Sequence, residues 1–195
     1  VSGRLISRTV VAYGVARLRA PGKNIIFTIL LATLMLPNAA LLIPQYILFD
    51  RLGWVNTFLP LIVPAWFGNA YAIFLMRQFF MTIPRELEEA AVIEGASTGK
   101  IIWSVIVPLS TPVLSVIAIL TFKDTWNEFL NPLLYLREPS MYTVSVGLAY
   151  FNGQFDVQMN LLMAASVTLM LPIVILFIIA QRSFVEGISL TGLKG

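Results

Sequence analysis

The sequence predicts an all-α fold, a bundle of membrane-spanning helices, and three observations carry that expectation. The chain of 195 residues is 58% hydrophobic and only 12% charged, half the charge of a soluble domain at about 25%. Its mean hydropathy is +0.84. Its apolar residues are gathered into long stretches, and a helix crosses a bilayer with about 20 of them.

The same composition excludes several kinds of chemistry. There is no Cys and no His, which removes thiol catalysis, disulfides, Cys/His zinc sites and Ser-His-Asp triads together. The expectation is therefore a protein that is not an enzyme and carries no cofactor or metal. Thirteen Lys and Arg against ten Asp and Glu leave a net charge of +3. No block of five or six basic residues occurs, so nucleic acid is not an expected partner; the lipid bilayer is.

Taken in order, the chain opens on Val1 without the basic, apolar and small-residue regions of a signal peptide, as expected of a piece that begins inside an element. Residues 5–16 form a partial span. Four fuller candidates follow. Residues 24–49 are interrupted by Pro37 and Pro44, and residues 57–80 carry Pro60 and Pro64 in their first turns. Residues 112–136 are apolar except for Lys123, Asp124, Asn127, Glu128 and Asn131, and residues 161–180 hold Pro172 near their centre. Neighbouring helices can satisfy the carbonyls a membrane proline frees. Small residues allow membrane helices to approach closely, and Gly14, Gly68, Ala70, Ala164 and Ala165 are available for that.

Lys and Arg in the loops set direction, because cytoplasmic loops hold the excess. Arg17, Arg19, Lys23, Arg77, Arg85, Lys100, Arg182 and Lys194 fall on one side, and Arg51 and Arg137 on the other. The bias places the loop 82–109 and the tail 183–195 in the cytoplasm. The turn 50–56 and the loop 137–160 then face outward.

The cytoplasmic loop has internal structure. Pro84 suits a first helical turn, and Glu86, Glu88 and Glu89 follow where carboxylates favour the positive end of a helix. Leu87, Ala90 and Ala91 fall at i, i+3 and i+4, a narrow face of small residues. Gly95 is a left-handed C-cap. Ser97 is an N-cap for a second, apolar helix, which is expected to stop before Pro108. Two short helices joined at a glycine suit insertion into a cleft on a cytosolic partner. An ordinary solvated helix start is the plainer reading of the glutamates.

In the 112–136 segment, Lys123, Asn127 and Asn131 are spaced by four, as are Asp124 and Glu128, so one helix would carry them as adjacent stripes. Polar residues in apolar helices are functional candidates by default. The stripe could face the interior of the bundle. Equally it could serve helix–helix hydrogen bonding, with Trp126 an interfacial anchor.

Four stretches carry a family resemblance. Glu89-Ala90-Ala91, then three residues, Gly95, nine residues, and Val105-Ile106-Val107-Pro108 resemble the EAA loop of ABC importer permeases, with Val at both aliphatic positions of the last part and Glu94 where carbohydrate importers often carry Asp. Ala12-Tyr13-Gly14-Val15-Ala16-Arg17 with Pro21-Gly22-Lys23 resembles the AYAxAR…PGK signature of the carbohydrate-uptake branch. Trp126-Asn127-Glu128-Phe129 resembles its WN[DE]F. Gly187-Ile188-Ser189 with Lys194-Gly195 resembles its terminal segment, with Thr191 where a second Gly is usual. The chain is thus similar to the second permease of maltose-type transporters, a binding-protein-dependent inner-membrane component.

The resemblance implies a single permease domain over 1–195, with about five of the family's six spanning helices, in a bacterial cytoplasmic membrane. It implies two ABC ATPase subunits, a second homologous permease and an extracytoplasmic solute-binding protein as partners, and a sugar or oligosaccharide as cargo. Glu89 would pair with a basic group of the ATPase, Ala90 and Ala91 would permit close approach, and Gly95 and Pro108 would shape the loop. The tail residues Gly187, Lys194 and Gly195 would reach the same interface, and Lys123, Asp124, Trp126, Asn127 and Glu128 would lie along the translocation path, with Trp126 stacking on a sugar ring. A permease for a non-sugar solute is one alternative. A secondary transporter or membrane scaffold is another, although such proteins often show an internal repeat and none joins the two halves here.

Overall fold

The computed structural model describes residues 1–151 and 159–192, with side chains over 1–149 and 159–179. Among the described residues all regular structure is helical. The chain divides into two compact units. One combines Val1–Pro37 and Ala65–Ala118 with the end of the chain from Arg182; the other combines Asn38–Pro64 and Ile119–Gln181.

The first unit is built on α1 (Ser2–Arg17) lying along α5 (Ala70–Thr82), its most extensive helix contact. The buried face of α1 recurs every four residues through Arg8, Ala12 and Ala16, the repeat of one helical face. Water does not drive helices together within a bilayer, so close packing must. Ala12 and Ala16 supply the small surface, and Met76 and Phe80 on α5 are wholly buried. Gly14, expected as a packing position, instead looks onto open space, where an added Cβ would meet nothing within 4 Å. At the other end of α1, a Cβ on Gly3 would collide with the Trp66 ring, and Ser7 donates to the Trp66 carbonyl.

After the left-handed Gly22 (φ 78°), α2 (Lys23–Ala32) packs Phe27 on Phe74 with ring centroids 6.4 Å apart, and the Arg77 guanidinium lies 4.2 Å over the Phe27 ring. That cation–π contact lets a charged residue sit against apolar surface. The unit also holds α6 (Glu86–Ile93), α7 (Thr98–Ile101), α8 (Val107–Leu109) and the start of α9 (Thr111–Trp126).

The second unit holds α3 (Asn38–Arg51), α4 (Leu59–Ile62), α10 (Leu130–Tyr135), α11 (Val144–Phe151) and most of α12 (Met159–Gly192). Two of its loops meet around Asn56 in a knot of hydrogen bonds, where Asn56 takes a left-handed φ of 61°. Asn56 N–H donates to the Tyr135 carbonyl at 2.8 Å, its Oδ1 accepts from Arg137 N–H at 3.0 Å, and its Nδ2 donates to Glu138 at 3.0 Å. Arg137 also donates to the Tyr46 hydroxyl at 2.8 Å, and Phe49 packs edge-on to Tyr135 at 5.4 Å.

Several expected boundaries move. Leu59–Thr82 and Met159–Ile179 are each long and apolar enough to cross a membrane, and two further helix pairs qualify only as bent spans. Pro37 breaks the second candidate as expected, whereas Pro44 lies inside α3 without ending it. The 112–136 candidate is not one helix: α9 ends at Trp126 and α10 starts at Leu130. The helix after Ser97 does not stop before Pro108. It passes through a π-helical stretch, Ile102–Ile106, and continues as α8 to Leu109. Proline normally clashes with the carbonyl four residues back, and a wider π turn relieves that clash.

Candidate functional site

The two-helix bend predicted from the sequence is present. Three glutamates open α6, the arrangement its positive end favours; the helix starts after Pro84, with Arg85 as its N-cap residue. Its far end closes in a Schellman motif. Ala96 N–H donates to the Ala91 carbonyl and Gly95 N–H to the Val92 carbonyl, each at 2.9 Å, the paired bonds that motif requires. Gly95 takes φ 79° with open space where a Cβ would stand, so the backbone alone demands glycine. Ser97 Oγ then accepts from Lys100 N–H at 3.4 Å and caps α7. Ile101, Ile102 and Ile106 are buried in the core, so the second limb of the bend is anchored while α6 has no buried residue.

The outer face of α6 carries Glu86, Glu89, Ala90 and Ile93, all exposed, at the spacing of one helical face. Ile93 is 87% exposed, an apolar knob beside carboxylates. Ala91 is half-buried against the core, so of the three predicted contact residues it faces inward while Glu89 and Ala90 face out. The inner face carries a feature missed in the sequence. Glu88 Oε2 accepts from the Tyr13 hydroxyl at 3.1 Å, and Glu88 Oε1 lies 3.1 Å from Arg17 Nε. The Arg17 guanidinium also donates to the carbonyls of Phe80 and Ile83. Tyr13 and Arg17 are four apart, and that spacing, which places them on one face of α1, was the available signal.

The other predicted residues do not form a continuous stripe, because the helix that would align them ends at Trp126. Lys123 and Asp124 are exposed, with their charged atoms 3.9 Å apart, and Asn127 is exposed. Glu128 accepts from Asn131 N–H at 3.2 Å in the first turn of α10. Trp126 stacks on Phe122 at 5.5 Å, and its indole N–H donates to the Leu169 carbonyl at 2.9 Å. A nearby cavity of about 380 Å³, lined by Tyr142, Thr143, Val144, Gly147, Leu148 and Ala165 among others, is mainly apolar, whereas sugar recognition needs several convergent polar groups. Gly187 lies within α12; Lys194 and Gly195 lie outside the described residues.

The fold is apolar and helical, with α6 exposed and its continuation buried, and the family it matches is one of membrane transport components. The chain belongs to the family of binding-protein-dependent transport system inner membrane components, which matches residues 9–189. Among its relatives, the arabinooligosaccharides transport system permease protein of Halalkalibacterium halodurans is 37% identical over 98% of this chain and 68% of its own length. The trehalose/maltose transport system permease protein of Thermococcus litoralis is 35% identical over 94% of this chain and 67% of its own. The sn-glycerol-3-phosphate transport system permease protein of Yersinia pestis is 34% identical over 95% and 66%. This chain spans 62% to 68% of the length of the first such relatives. A crystal structure of a bacterial ABC transporter involved in the import of the acidic polysaccharide alginate superposes with a TM-score of 0.84 at 25% identity, covering 94% of this chain and 70% of that one.

Proposed function

We propose that this chain is a permease subunit of an ATP-driven, binding-protein-dependent importer, and that α6 is the element its ATPase moves. The observation that carries the reading is the exposed face Glu86, Glu89, Ala90 and Ile93 on a helix whose continuation is sunk in the core. A partner that grips this face can turn nucleotide-driven closure into motion of the membrane helices. Glu89 supplies a carboxylate for a basic partner group, Ala90 allows close approach, and Ile93 offers apolar contact. Two ATPase subunits, a second permease and an extracytoplasmic binding protein complete the assembly, which sits in the cytoplasmic membrane with α6 and the C-terminus inside. Two loop contacts support this direction. The turn at Asn56 is bonded to residues 135–138, and the end of α1 to the 80–88 region; charge assigns each pair to one side.

Sugars or oligosaccharides are the proposed cargo class, the class named for the arabinooligosaccharide and trehalose/maltose relatives. A phosphorylated polyol is the second reading, favoured by the sn-glycerol-3-phosphate relative. The chain has no Cys, so single cysteines at the exposed Ala90 and Ile93 can be crosslinked without background from these residues. In native membranes both should capture a cytosolic ATPase, and failure of both would overturn the docking reading. Vesicle uptake of labelled arabinotriose against labelled sn-glycerol-3-phosphate separates the two cargo readings.

A further inference from the structure

We propose that Tyr13, Arg17 and Glu88 form a lock that fastens α6 to the α1–α5 pair, making Arg17 and Glu88 positioning residues for coupling. The proposal rests on the reading of α6 as the element an ATPase moves.

An eight-residue helix with no buried residue does not hold its place through its own hydrogen bonds. It is joined to α5 by three residues and to α7 through the left-handed Gly95, so its direction is set by these two short links and by what its inner face meets. Arg17 is the side chain that ties that face to the rest, because it engages three elements. It extends from the end of α1, donates to the Phe80 and Ile83 carbonyls at the end of α5, and pairs with Glu88 on α6. A cation at the C-terminal end of α5 also faces the negative end of that helix.

The side chains of Arg17 and Glu88 are 4% and 16% exposed, so the pair is shielded from the solvent that makes surface ion pairs weak. The 3.1 Å Nε–Oε1 contact is not aligned as a hydrogen bond. The Tyr13 hydroxyl bond to Oε2 supplies the missing direction and fixes the carboxylate. The outward carboxylate, Glu89, is left for the partner. Adjacent glutamates thus take opposite tasks, one holding the helix and one presenting it.

The test uses the intact importer, with spin labels on Leu18→Cys and Val92→Cys, both exposed and on either side of the lock. Distances are measured without nucleotide and with ATP trapped by vanadate. The expected result is one narrow distribution, the same in both states, because α1 and α6 move together. Glu88→Gln should give a distribution roughly two-fold wider, as a single packed arrangement gives way to several. Glu88→Asp, which keeps the charge on a shorter arm, should stay closer to the parent. A role in packing alone predicts the reverse order, since Gln is the closer isostere. A Gln variant as narrow as the parent, or narrower than Asp, overturns the lock. If neither variant assembles, Tyr13→Phe decides: broadening supports the lock and an unchanged distribution overturns it. The same labels in the permease purified without an ATPase read the lock by itself. If the parent never captures an ATPase, the coupling reading fails while this arm still tests whether α6 is fastened.

Discussion

Glycines at two positions answer to different physical demands, and substitution separates them. At Gly95 the demand is conformational, since φ is 79° and nothing stands where a Cβ would be. Gly95→Ala should therefore cost about 1–2 kcal/mol, the penalty of the left-handed region, and Gly95→Asn less, because Asn tolerates it. Thermal unfolding in detergent would show the order Gly, Asn, Ala; equal stability of all three would refute the assignment. At Gly3 the demand is steric. An added methyl would overlap the Trp66 ring, so Gly3→Ala should displace that indole and shift its fluorescence, whereas Gly14→Ala, facing open space, should leave it unchanged. The left-handed cap at Gly95 was legible from sequence because Gly follows a helical run there. The crowding at Gly3 was not, because its partner lies 63 residues away and only folding brings the two together.

Among the elements, α9 and α12 show how a polar group inside an apolar helix finds employment. Pro172 lies inside α12, and a proline weakens the carbonyl bonds of the turn before it. Trp126 donates its indole N–H to Leu169 in that turn, a neighbour satisfying a loosened carbonyl. Trp126→Phe keeps an aromatic ring and removes the donor, and should cost about 0.6 kcal/mol, the average for hydrogen bonds between membrane helices, and no more than about 1.7 kcal/mol. In a Pro172→Ala background, where the turn straightens and the Leu169 carbonyl bonds more closely to its helical donor, the Ile173 N–H, the cost should shrink. A double-mutant cycle in detergent measures the difference, and strict additivity would rule the link out. The sequence offered Trp126 as a sugar platform or an anchor. The helix break after it, which disperses the expected polar stripe, does have a local signal: Pro132 falls in the first turn of α10, where proline is tolerated while it bars an unbroken helix through residue 128. The spacing by four reads straight through that signal.

For the whole molecule, the arrangement of sides is the property that loop charge and structure address together. Arg51 and Arg137 were set on one side by counting, and the knot at Asn56 joins their neighbourhoods through the hydrogen bonds to Tyr135, Arg137 and Glu138. A membrane-impermeant thiol reagent applied to whole cells should label Leu52→Cys and spare Ile93→Cys until the cells are opened. Labelling in the opposite order would invert the topology and remove α6 from the reach of any cytosolic ATPase.

By itself the sequence determined that the chain is helical and apolar, and that 82–109 contains a bend built on Gly95 with Ser97 capping the helix after it. Those properties are local: they follow from composition, from Gly and Pro, and from spacing within a turn or two of helix. Only the tertiary structure decided which glutamate faces in and which faces out. Glu88 and Glu89 are adjacent, chemically identical and equally suited to the start of a helix. What separates them is Arg17, distant by 71 positions in the chain, whose side chain reaches Glu88 only because α1 lies along α5. A contact of that kind is set by packing geometry: the spacing of Tyr13 and Arg17 marks one face of α1 but does not encode what that face meets.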